Sequence, residues 1–137
     1  MRSIILTGGN EGIGFFMAEQ LLKDGDRVAV LDISTDRIDA LKAQYEDRLI
    51  VCECDVSDAD AVQSCTDQIE SQWGVADVAV HNACICLFTG LASTTNDDYR
   101  RVFEVNFGGA VNLTRAVLPS IKRRGSGRIC FTSSAWA

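Results

Sequence analysis

The amino-acid sequence predicts an α/β protein built on a parallel β-sheet. Short apolar runs of about five or six residues alternate along the chain with amphipathic segments of about 12 or more. The first apolar run also leads directly into a glycine-rich turn that opens a helical pattern. Strands that alternate with helices in this way form right-handed βαβ units, whose strands run parallel.

The first unit joins an apolar strand at residues 4–6 to a helix over Gly12–Lys23. Ile13 and Phe16 lie near helical spacing in that segment. Gly25 follows the segment as a stop signal, so we expect the helix to end just before it.

The second unit begins with a buried strand at residues 27–31, which ends at Asp32. A helix is expected over residues 35–46, because its apolar residues recur at helical spacing. Either Thr35 or Ser34 can cap the start of this helix.

The third unit begins with a strand at residues 49–54, which is followed by Asp55 and Val56. Ser57 can cap the helix that we expect over residues 58–73. The apolar side chains of this helix recur along one face, which predicts that it packs on the sheet.

The fourth strand is expected at residues 76–80, and a loop rich in Thr and Ser follows it. A long helix is expected over residues 97–122, with Pro119, the single proline, bending or ending its last turns. A fifth strand is expected at residues 127–132.

Size and composition narrow the possible functions. The 137 residues suit one domain, and an apolar content of 47% is typical of globular proteins. A net charge of −6 argues against a nucleic-acid-binding surface. No apolar run approaches the roughly 20 residues of a membrane span, and the N-terminus does not resemble a secretory signal. We therefore expect a cytoplasmic protein without nucleic-acid or membrane partners.

The glycine-rich turn between Thr7 and Gly14 is a candidate phosphate site. Glycines that join a strand to a helix can bring backbone N–H groups to a pyrophosphate, which the positive end of the helix dipole also attracts. The spacing is Gly8-x3-Gly12-x-Gly14, which differs from the G-x-G-x-x-G fingerprint. Taken alone, the cluster could equally be a surface turn.

Two carboxylates follow neighbouring strands in positions that suit the adenosine half of a dinucleotide. Asp32 lies 18 residues after Gly14 and can accept both ribose hydroxyls while repelling a 2′-phosphate. Glu11 adds a second negative charge, so NAD is favoured over NADP. Asp55 can accept from the adenine amino group, and it can also form an Asx turn with Ser57. Taken alone, Asp32 is more simply explained as a turn or helix-capping residue than as a ribose ligand.

The six cysteines are expected to be reduced. Cys52-x-Cys54 and Cys84-x-Cys86 lie in a chain with one histidine, His81, so a metal site is conceivable. The C-x-C spacing is not the C-x2-C spacing usual for zinc, and Cys52 and Cys54 fall in an apparently buried strand. We therefore expect no metal.

Six motifs occur in order along the chain: Thr7-Gly8-x3-Gly12-x-Gly14, Asp32, Asp55-Val56, His81-Asn82-Ala83, Asn106 before a Phe-Gly-Gly segment, and Ser133-Ser134 after Gly127-Arg128-Ile129. Together they resemble the short-chain dehydrogenase/reductase family, over the entire chain. The resemblance implies a Rossmann-like, doubly wound parallel sheet that is incomplete, with about five strands in the order 3-2-1-4-5. It also implies a NAD-dependent alcohol dehydrogenase or ketone reductase.

The resemblance implies a role for individual residues. Those expected to bind the cofactor are Gly8, Asn10, Gly12, Ile13, Gly14, Asp32, Ile33, Asp55, Val56, Asn82 and Ala83. Ser134 is similar to the serine that hydrogen-bonds the substrate. Asn106 is similar to the helix asparagine that orders a water in the proton relay. On the residues alone, Ser134 could be a solvated chain end and Asn106 a polar residue that bonds locally within a helix.

The chain departs from the family pattern in two ways. Cys84 stands where the family has glycine, and its side chain could crowd the cofactor ribose. The family also needs a catalytic Tyr with a Lys four residues later, but Tyr45 and Tyr99 are followed at that distance by Leu49 and Phe103. Residues 1–137 are therefore expected to be a truncated NAD-binding domain that is inactive alone and binds NAD weakly or not at all. The alternative is a non-catalytic nucleotide-binding or oligomerisation module.

The predicted fifth strand and the helix over residues 97–122 would lack neighbours in such a domain. An unpaired strand edge and an uncovered apolar helix face favour self-association. We therefore expect a homo-oligomer formed through the long helix, the fifth strand, or both.

Overall fold

The computed structural model describes residues 1–134. Its centre is one sheet in which every paired strand is parallel, in the order β3-β2-β1-β4-β5. The strands are β1 Ser3–Thr7, β2 Arg27–Asp32, β3 Leu49–Glu53, β4 Val78–His81 and β5 Arg128–Phe131. The predicted fold class and strand order are confirmed, and β4 begins at Val78 rather than at residue 76.

Helices cover both faces of the sheet, as a parallel sheet requires. They are α1 Gly12–Lys23, α2 Asp36–Asp39, α3 Lys42–Tyr45, α4 Ala59–Trp73, α5 Asn96–Phe103 and α6 Gly109–Arg124. One face of β1 and β2 packs against α1, α2 and α3 around Leu6 and Val30. The opposite face packs against α4 and α6 around Ile5 and Leu31. All four of these strand residues have no exposed surface.

The single helix expected over residues 35–46 is wrong. The chain forms α2 and α3 there, with a tighter turn between them in which the Leu41 N–H bonds to the carbonyl of Ile38 at 3.0 Å. A short 3₁₀ turn, Glu46–Arg48, completes the connection to β3. Ile38 of α2 and Tyr45 of α3 both bury their side chains in the same core cluster.

The long helix is also interrupted. A π-helical turn, Glu104–Gly108, separates α5 from α6. Pro119 does not end α6, which continues to Arg124 and stops at Gly125 in the left-handed conformation. The N-cap of α4 is Asp58, whose carboxylate accepts from the N–H groups of Asp60 and Ala61, and not Ser57 as expected.

Arg124 joins the end of α6 to the segment that leads into β4. Its guanidinium donates to the carbonyls of Val75 and Ala76 at 2.6 and 2.9 Å, and to the carbonyl of Ser126. It also pairs with Asp77 at 3.1 Å. These bonds attach the end of α6 to the segments that lead into β4 and β5. None of the helices in residues 1–134 has both the length and the apolar character needed to cross a membrane.

Candidate functional site

A cavity of about 530 Å³ opens at the carboxyl ends of the strands. Ligands of open α/β sheets bind at this edge, where the strand order reverses beside the first strand. All eleven residues expected to bind a cofactor line the cavity: Gly8, Asn10, Gly12, Ile13, Gly14, Asp32, Ile33, Asp55, Val56, Asn82 and Ala83. The fold therefore brings these residues together around one space.

The three glycines of the turn have different structural roles. A Cβ on Gly14 would lie 1.8 Å from the carbonyl oxygen of Gly8, and one on Gly8 would lie 2.6 Å from the Cα of Ala83. A Cβ on Gly12 would meet nothing within 4 Å, although the backbone there has φ +51°. Gly8 and Gly14 thus allow chain segments to touch, while Gly12 lies in open space at the cavity.

The N-terminus of α1 faces the cavity with N–H groups that the helix itself does not use. Phe15 donates the first intrahelical hydrogen bond, to the carbonyl of Glu11 at 3.0 Å. The N–H groups of Gly12, Ile13 and Gly14 precede it and have no acceptor within the helix. Glu11, the N-cap, makes no capping bond with its side chain. These donors and the helix dipole suit an anion.

Asp32 lies half-buried at the end of β2, across the cavity edge from the glycine turn. One carboxylate oxygen accepts from the backbone N–H of Asn10 at 2.9 Å, and the other accepts from the N–H of Ser34 at 3.2 Å. A carboxylate has about four lone-pair sites. Asp32 therefore keeps acceptor capacity for a ligand while its orientation is fixed.

Asn10 lies in the turn, but its side chain serves the fold. It is 1% exposed, and its Oδ1 accepts from the N–H groups of Arg37 and Ile38 at 3.0 and 2.9 Å. Its Nδ2 donates to the carboxylate of Asp36 at 2.9 Å. That bond is the largest cause of the lowered pKa of Asp36, followed by the bond from Ser34. Asn10 thus ties the glycine turn to α2.

The carboxylate of Asp55 has two partners, Ser57 and Arg101. Sequence patterns indicated the first but not the second. Its Oδ1 accepts from the N–H and the hydroxyl of Ser57 at 2.9 and 2.7 Å, which is the Asx turn that was expected as an alternative. Its Oδ2 accepts from Arg101 at 2.7 Å. Burial acts to raise the pKa of Asp55, but the bonds from Ser57 and Arg101 outweigh it, and the pKa lies below 3.8. Arg101, on α5, is the one basic residue that residues 1–134 contribute to the cavity wall.

Thr7 connects the end of β1 to the segment after β4. Its hydroxyl oxygen accepts from the N–H groups of Asn82 and Ala83, both at 3.1 Å. The Asn82 side chain donates to the carbonyl of Gly8 at 3.0 Å. The hydroxyl of Thr132, after β5, donates to the side-chain Oδ1 of Asn82 at 3.3 Å. Asn82 thus fixes the cavity floor across three strand ends.

Asn106 lies in the π-helical turn, and its side chain pairs with the backbone of Ile85. Oδ1 accepts from the Ile85 N–H at 2.9 Å, and Nδ2 donates to the Ile85 carbonyl at 3.0 Å. The bonds are not within the helix, so the local alternative for Asn106 is wrong. Its side chain positions the loop after β4, and its backbone carbonyl bonds to His81 at 3.2 Å.

A second cavity, of about 590 Å³, lies between β5 and the helix turn that carries Asn106. His81, Asn106 and Ser133 are among the residues that line it. Ser134 is exposed, and it lines neither of the two cavities described. Asn106 and Ser133 therefore share a cavity beside the first one, and Ser134 lies outside both.

Cys84 lies in the wall of the first cavity, as the departure from the family pattern led us to expect. Burial, with Cys86 as a further cause, raises the pKa of the Cys84 thiol. All six cysteines are free thiols. Within residues 1–134, no three His, Cys, Asp or Glu side chains are grouped in a way that could hold a metal ion.

Comparisons with known proteins agree with this geometry. The family model described as short chain dehydrogenase matches residues 2–137. The chain is 34% identical to the 3-oxoacyl-[acyl-carrier-protein] reductase MabA of Mycobacterium bovis, covering 97% of this chain and 51% of that protein. It is 28% identical to a sorbitol dehydrogenase of Cereibacter sphaeroides, covering 92% of this chain and 49% of the relative.

Solved structures show the same similarity. A short-chain dehydrogenase from Streptomyces avermitilis superposes with a TM-score of 0.92 at 32% identity, over 97% of this chain and 49% of that one. The serine dehydrogenase of Escherichia coli gives a TM-score of 0.88 at 26% identity, over 96% of this chain and 62% of that one. The chain spans about half the length of the curated relatives it matches, MabA and the sorbitol dehydrogenase.

Proposed function

Because the chain belongs to the short-chain dehydrogenase family, we propose that it binds the adenosine diphosphate half of NAD in the cavity at the strand ends. NAD, when bound, supplies a hydride acceptor for the oxidation of an alcohol, or in reduced form a hydride donor to a ketone. The protein that contains this chain is then a NAD-dependent oxidoreductase.

One observation carries this proposal: unused helix N–H groups and an oriented carboxylate border the same cavity. The N–H groups of Gly12, Ile13 and Gly14 would hold the pyrophosphate, and Asp32 would accept from the ribose hydroxyls. Val56 supplies an apolar wall beside the adenine position. The residues present therefore fit the group.

The preference for NAD over NADP rests on charge. Asp32 and Glu11 line the cavity with negative charge near the ribose position. Arg101, the basic residue of the wall, is already paired with Asp55. A 2′-phosphate would face Asp32 at short range, where like charges repel strongly.

Calorimetry with ADP-ribose and with its 2′-phosphorylated form tests the site and the preference together. We expect ADP-ribose to bind at least about tenfold more tightly, a difference of about 1.4 kcal/mol. Asp32→Asn should weaken ADP-ribose binding and reduce the preference. Asp67→Asn, on the exposed side of α4, removes the same charge away from the cavity and should change neither. Equal affinity for the two ligands would rule out the NAD preference.

Catalysis needs more than this cavity. A carbonyl reduction without a proton donor of matched pKa loses about 10²–10⁴-fold from that step. The 137 residues contain no Tyr-x3-Lys pair, so we propose that they form a dinucleotide-binding unit with no turnover of its own. Ser134 and Asn106 remain the proposed catalytic members. Turnover by the purified chain that Ser134→Ala abolishes would overturn this proposal.

The cofactor is proposed to bind mainly through its adenosine diphosphate end. NAD should bind less than about tenfold more tightly than ADP-ribose, a margin below about 1.4 kcal/mol. If calorimetry gives NAD a larger advantage, the nicotinamide half has contacts that the proposal does not contain. Failure to detect any binding would favour a non-catalytic oligomerisation module.

The relatives named above are reductases and dehydrogenases, whose printed names indicate carbonyl or alcohol substrates. We propose the same reaction type for the protein that contains this chain. A cytoplasmic location belongs to the proposal, because six reduced cysteines suit a reducing compartment.

Self-association is the second candidate function. Phe107 and Phe131 are 57% and 54% exposed beside the second cavity, and β5 lies at a sheet edge in the described chain. Exposed apolar surface of this kind favours burial between copies. We propose a homo-oligomer formed through the π turn, α6 and β5.

A further inference from the structure

His81 is the one histidine of the chain, and it is buried at the end of β4 with both ring nitrogens in use. Nδ1 lies 3.1 Å from the hydroxyl oxygen of Thr7, and Nε2 lies 3.2 Å from the carbonyl oxygen of Asn106. The imidazole therefore bridges β1 and the π-helical turn. A Cβ on Gly109 would lie 2.9 Å from its Cε1, so the helix backbone packs directly against the ring.

The hydrogen bonds of Thr7 determine the tautomer of this ring. The hydroxyl oxygen already accepts from the N–H groups of Asn82 and Ala83, both at 3.1 Å. A hydroxyl has two lone pairs and one proton, so the proton is what remains for His81. Nδ1 is then the acceptor, and Nε2 carries the proton and donates to the Asn106 carbonyl.

We propose that His81, as a neutral imidazole protonated at Nε2, is a positioning residue of the dinucleotide cavity, and that its protonation lowers the affinity for adenosine diphosphate ligands. The inference rests on the proposed function. Through Thr7, the ring fixes Asn82 and Ala83, which line the cavity. Through the backbone carbonyl of Asn106, it also fixes the π-helical turn. The side chain of Asn106 in turn holds Ile85, another cavity residue.

Protonation would disrupt this arrangement at a defined place. An imidazolium donates from both nitrogens, so Nδ1 would present an N–H to the Thr7 oxygen. Both lone pairs of that oxygen are already used by Asn82 and Ala83, and one of these bonds would have to be given up. Loss of a bond at this point frees the segment that forms the cavity floor.

The surroundings of the ring determine the direction of the pH effect. Burial lowers the pKa of His81 below its ordinary 6.5, and the Asn106 carbonyl opposes this only in part. Thr7 on β1 and Asn106 in the helix turn are uncharged, and the β5 residues of the shared cavity are Phe131 and Thr132. Arg115, on α6, is the one charged side chain described in that cavity wall, and as a cation it does not favour an imidazolium.

The affinity depends on pH through the charge of the His81 ring. The folded pKa lies below 6.5, so the ring is neutral above that pH and becomes charged only as the pH falls through the lowered value. Affinity should therefore be constant at neutral and alkaline pH and should fall in acid. Carboxylates have ordinary pKa values near about 4, so measurements between about pH 5 and pH 8 keep their titration to a minimum.

The test is calorimetry with ADP-ribose across that range, using two complementary variants. His81→Asn keeps an acceptor near the Nδ1 position, and His81→Gln keeps a donor near the Nε2 position. We expect wild-type affinity to fall as the pH is lowered from about 8 to about 5, by up to about tenfold once the ring is fully charged, which is the effect of one lost hydrogen bond. Both variants should bind several-fold more weakly at about pH 8 and show no further loss in acid.

Nuclear magnetic resonance decides the inference in the wild-type chain, even if the variants fail to fold. Long-range ¹H–¹⁵N spectra should show a neutral ring with its proton on Nε2, and the amide signals of Asn82 and Ala83 should shift as His81 titrates. A proton on Nδ1, amide signals that do not follow the ring, or a variant that retains the wild-type pH dependence would overturn the inference. Absence of ADP-ribose binding at every pH would instead overturn the proposed function.

Discussion

At the scale of single residues, the glycine turn contains positions that look alike in sequence and differ in space. Gly14 has the carbonyl of Gly8 where its Cβ would be, whereas Gly12 borders open space at the cavity. The first contact is between two backbone segments, which cannot separate without moving α1 away from β1. At Gly12, the positive φ of the backbone is the main obstacle to a larger residue.

These differences predict separate effects of the same substitution. Gly14→Ala should destabilise the fold by at least about 3 kcal/mol, because a methyl group cannot fit against a backbone oxygen. Gly12→Ala should cost only about 1–2 kcal/mol for the left-handed backbone, yet weaken ADP-ribose binding about tenfold by placing a methyl group at the cavity. Urea unfolding and calorimetry measure the two effects. A Gly14→Ala chain as stable as wild type would contradict the packing role.

Asp26 predicts a pH dependence of stability. It is 5% exposed, and its carboxylate accepts from the backbone N–H and the Nε of Arg2 at 2.8 and 3.0 Å. The side-chain bond from Arg2 is the largest cause that lowers the pKa of Asp26, and burial opposes it. A lowered folded pKa means that the stabilisation is present above the ordinary 3.8 and is lost as the pH falls through the folded value.

Asp26→Asn should therefore unfold at lower urea concentration at about pH 7, and lose less stability than wild type on transfer to about pH 3. Other carboxylates with lowered pKa values, such as Asp98, titrate in both chains. The difference between the two chains thus isolates Asp26. Equal acid sensitivity in both would contradict the role of the Arg2 pair.

At the scale of elements, the connection between the helix turn and the loop after β4 depends on one side chain. Asn106→Ala removes both hydrogen bonds to the Ile85 backbone and should cost about 1–3 kcal/mol of unfolding free energy. Amide exchange of Ile85 should accelerate. Asn106→Asp keeps the acceptor for the Ile85 N–H and should retain more of its protection. Unchanged exchange in the alanine variant would exclude this connection.

The end of α6 is held in a similar way. Arg124→Ala removes donors to the carbonyls of Val75 and Ala76 and should destabilise the fold by about 2 kcal/mol. Lys122→Ala changes an exposed charge on the same last turn and should stay within about 0.5 kcal/mol of wild type. Urea unfolding compares the two. Equal effects would indicate that charge, and not the carbonyl bonds, matters.

At the scale of the whole molecule, the helices bury the strands of the sheet unevenly. Both faces of β1 and β2 are buried, whereas β5 is mostly exposed and lies at the sheet edge in the described chain. Phe103 stacks on Phe107, with ring centres 4.9 Å apart, although both rings are largely exposed. This surface is the physical basis of the proposed self-association.

Sedimentation velocity at micromolar concentration should show a dimer or a larger assembly. Phe131→Glu and Phe107→Glu should each shift the chain towards monomer, because a buried unpaired charge is costly. Phe88→Glu, which changes a phenylalanine that is 92% exposed in the loop after β4, is the matched control and should leave the assembly intact. A stable wild-type monomer would rule out the proposed oligomer.

How far each feature could be predicted depends on how local its cause is. Sequence alone determined the βα alternation, the glycine turn and the carboxylate after β2, because each follows from a period or spacing within one unit. It failed at residues 35–46, since the spacing of apolar residues does not record the tighter turn in which the Leu41 N–H bonds to the carbonyl of Ile38.

Only the tertiary structure decided which groups meet at the cavity. Arg101 bonds to Asp55 across 46 positions of sequence, and Asn106 bonds to Ile85 across 21. The tautomer of His81 depends on Thr7, 74 positions away. Such partners leave no local period in the chain, because they are chosen by the packing of whole strands and helices. The sequence thus determined where the glycine turn and Asp32 lie at the strand ends, and the fold decided which side chains hold that edge in shape.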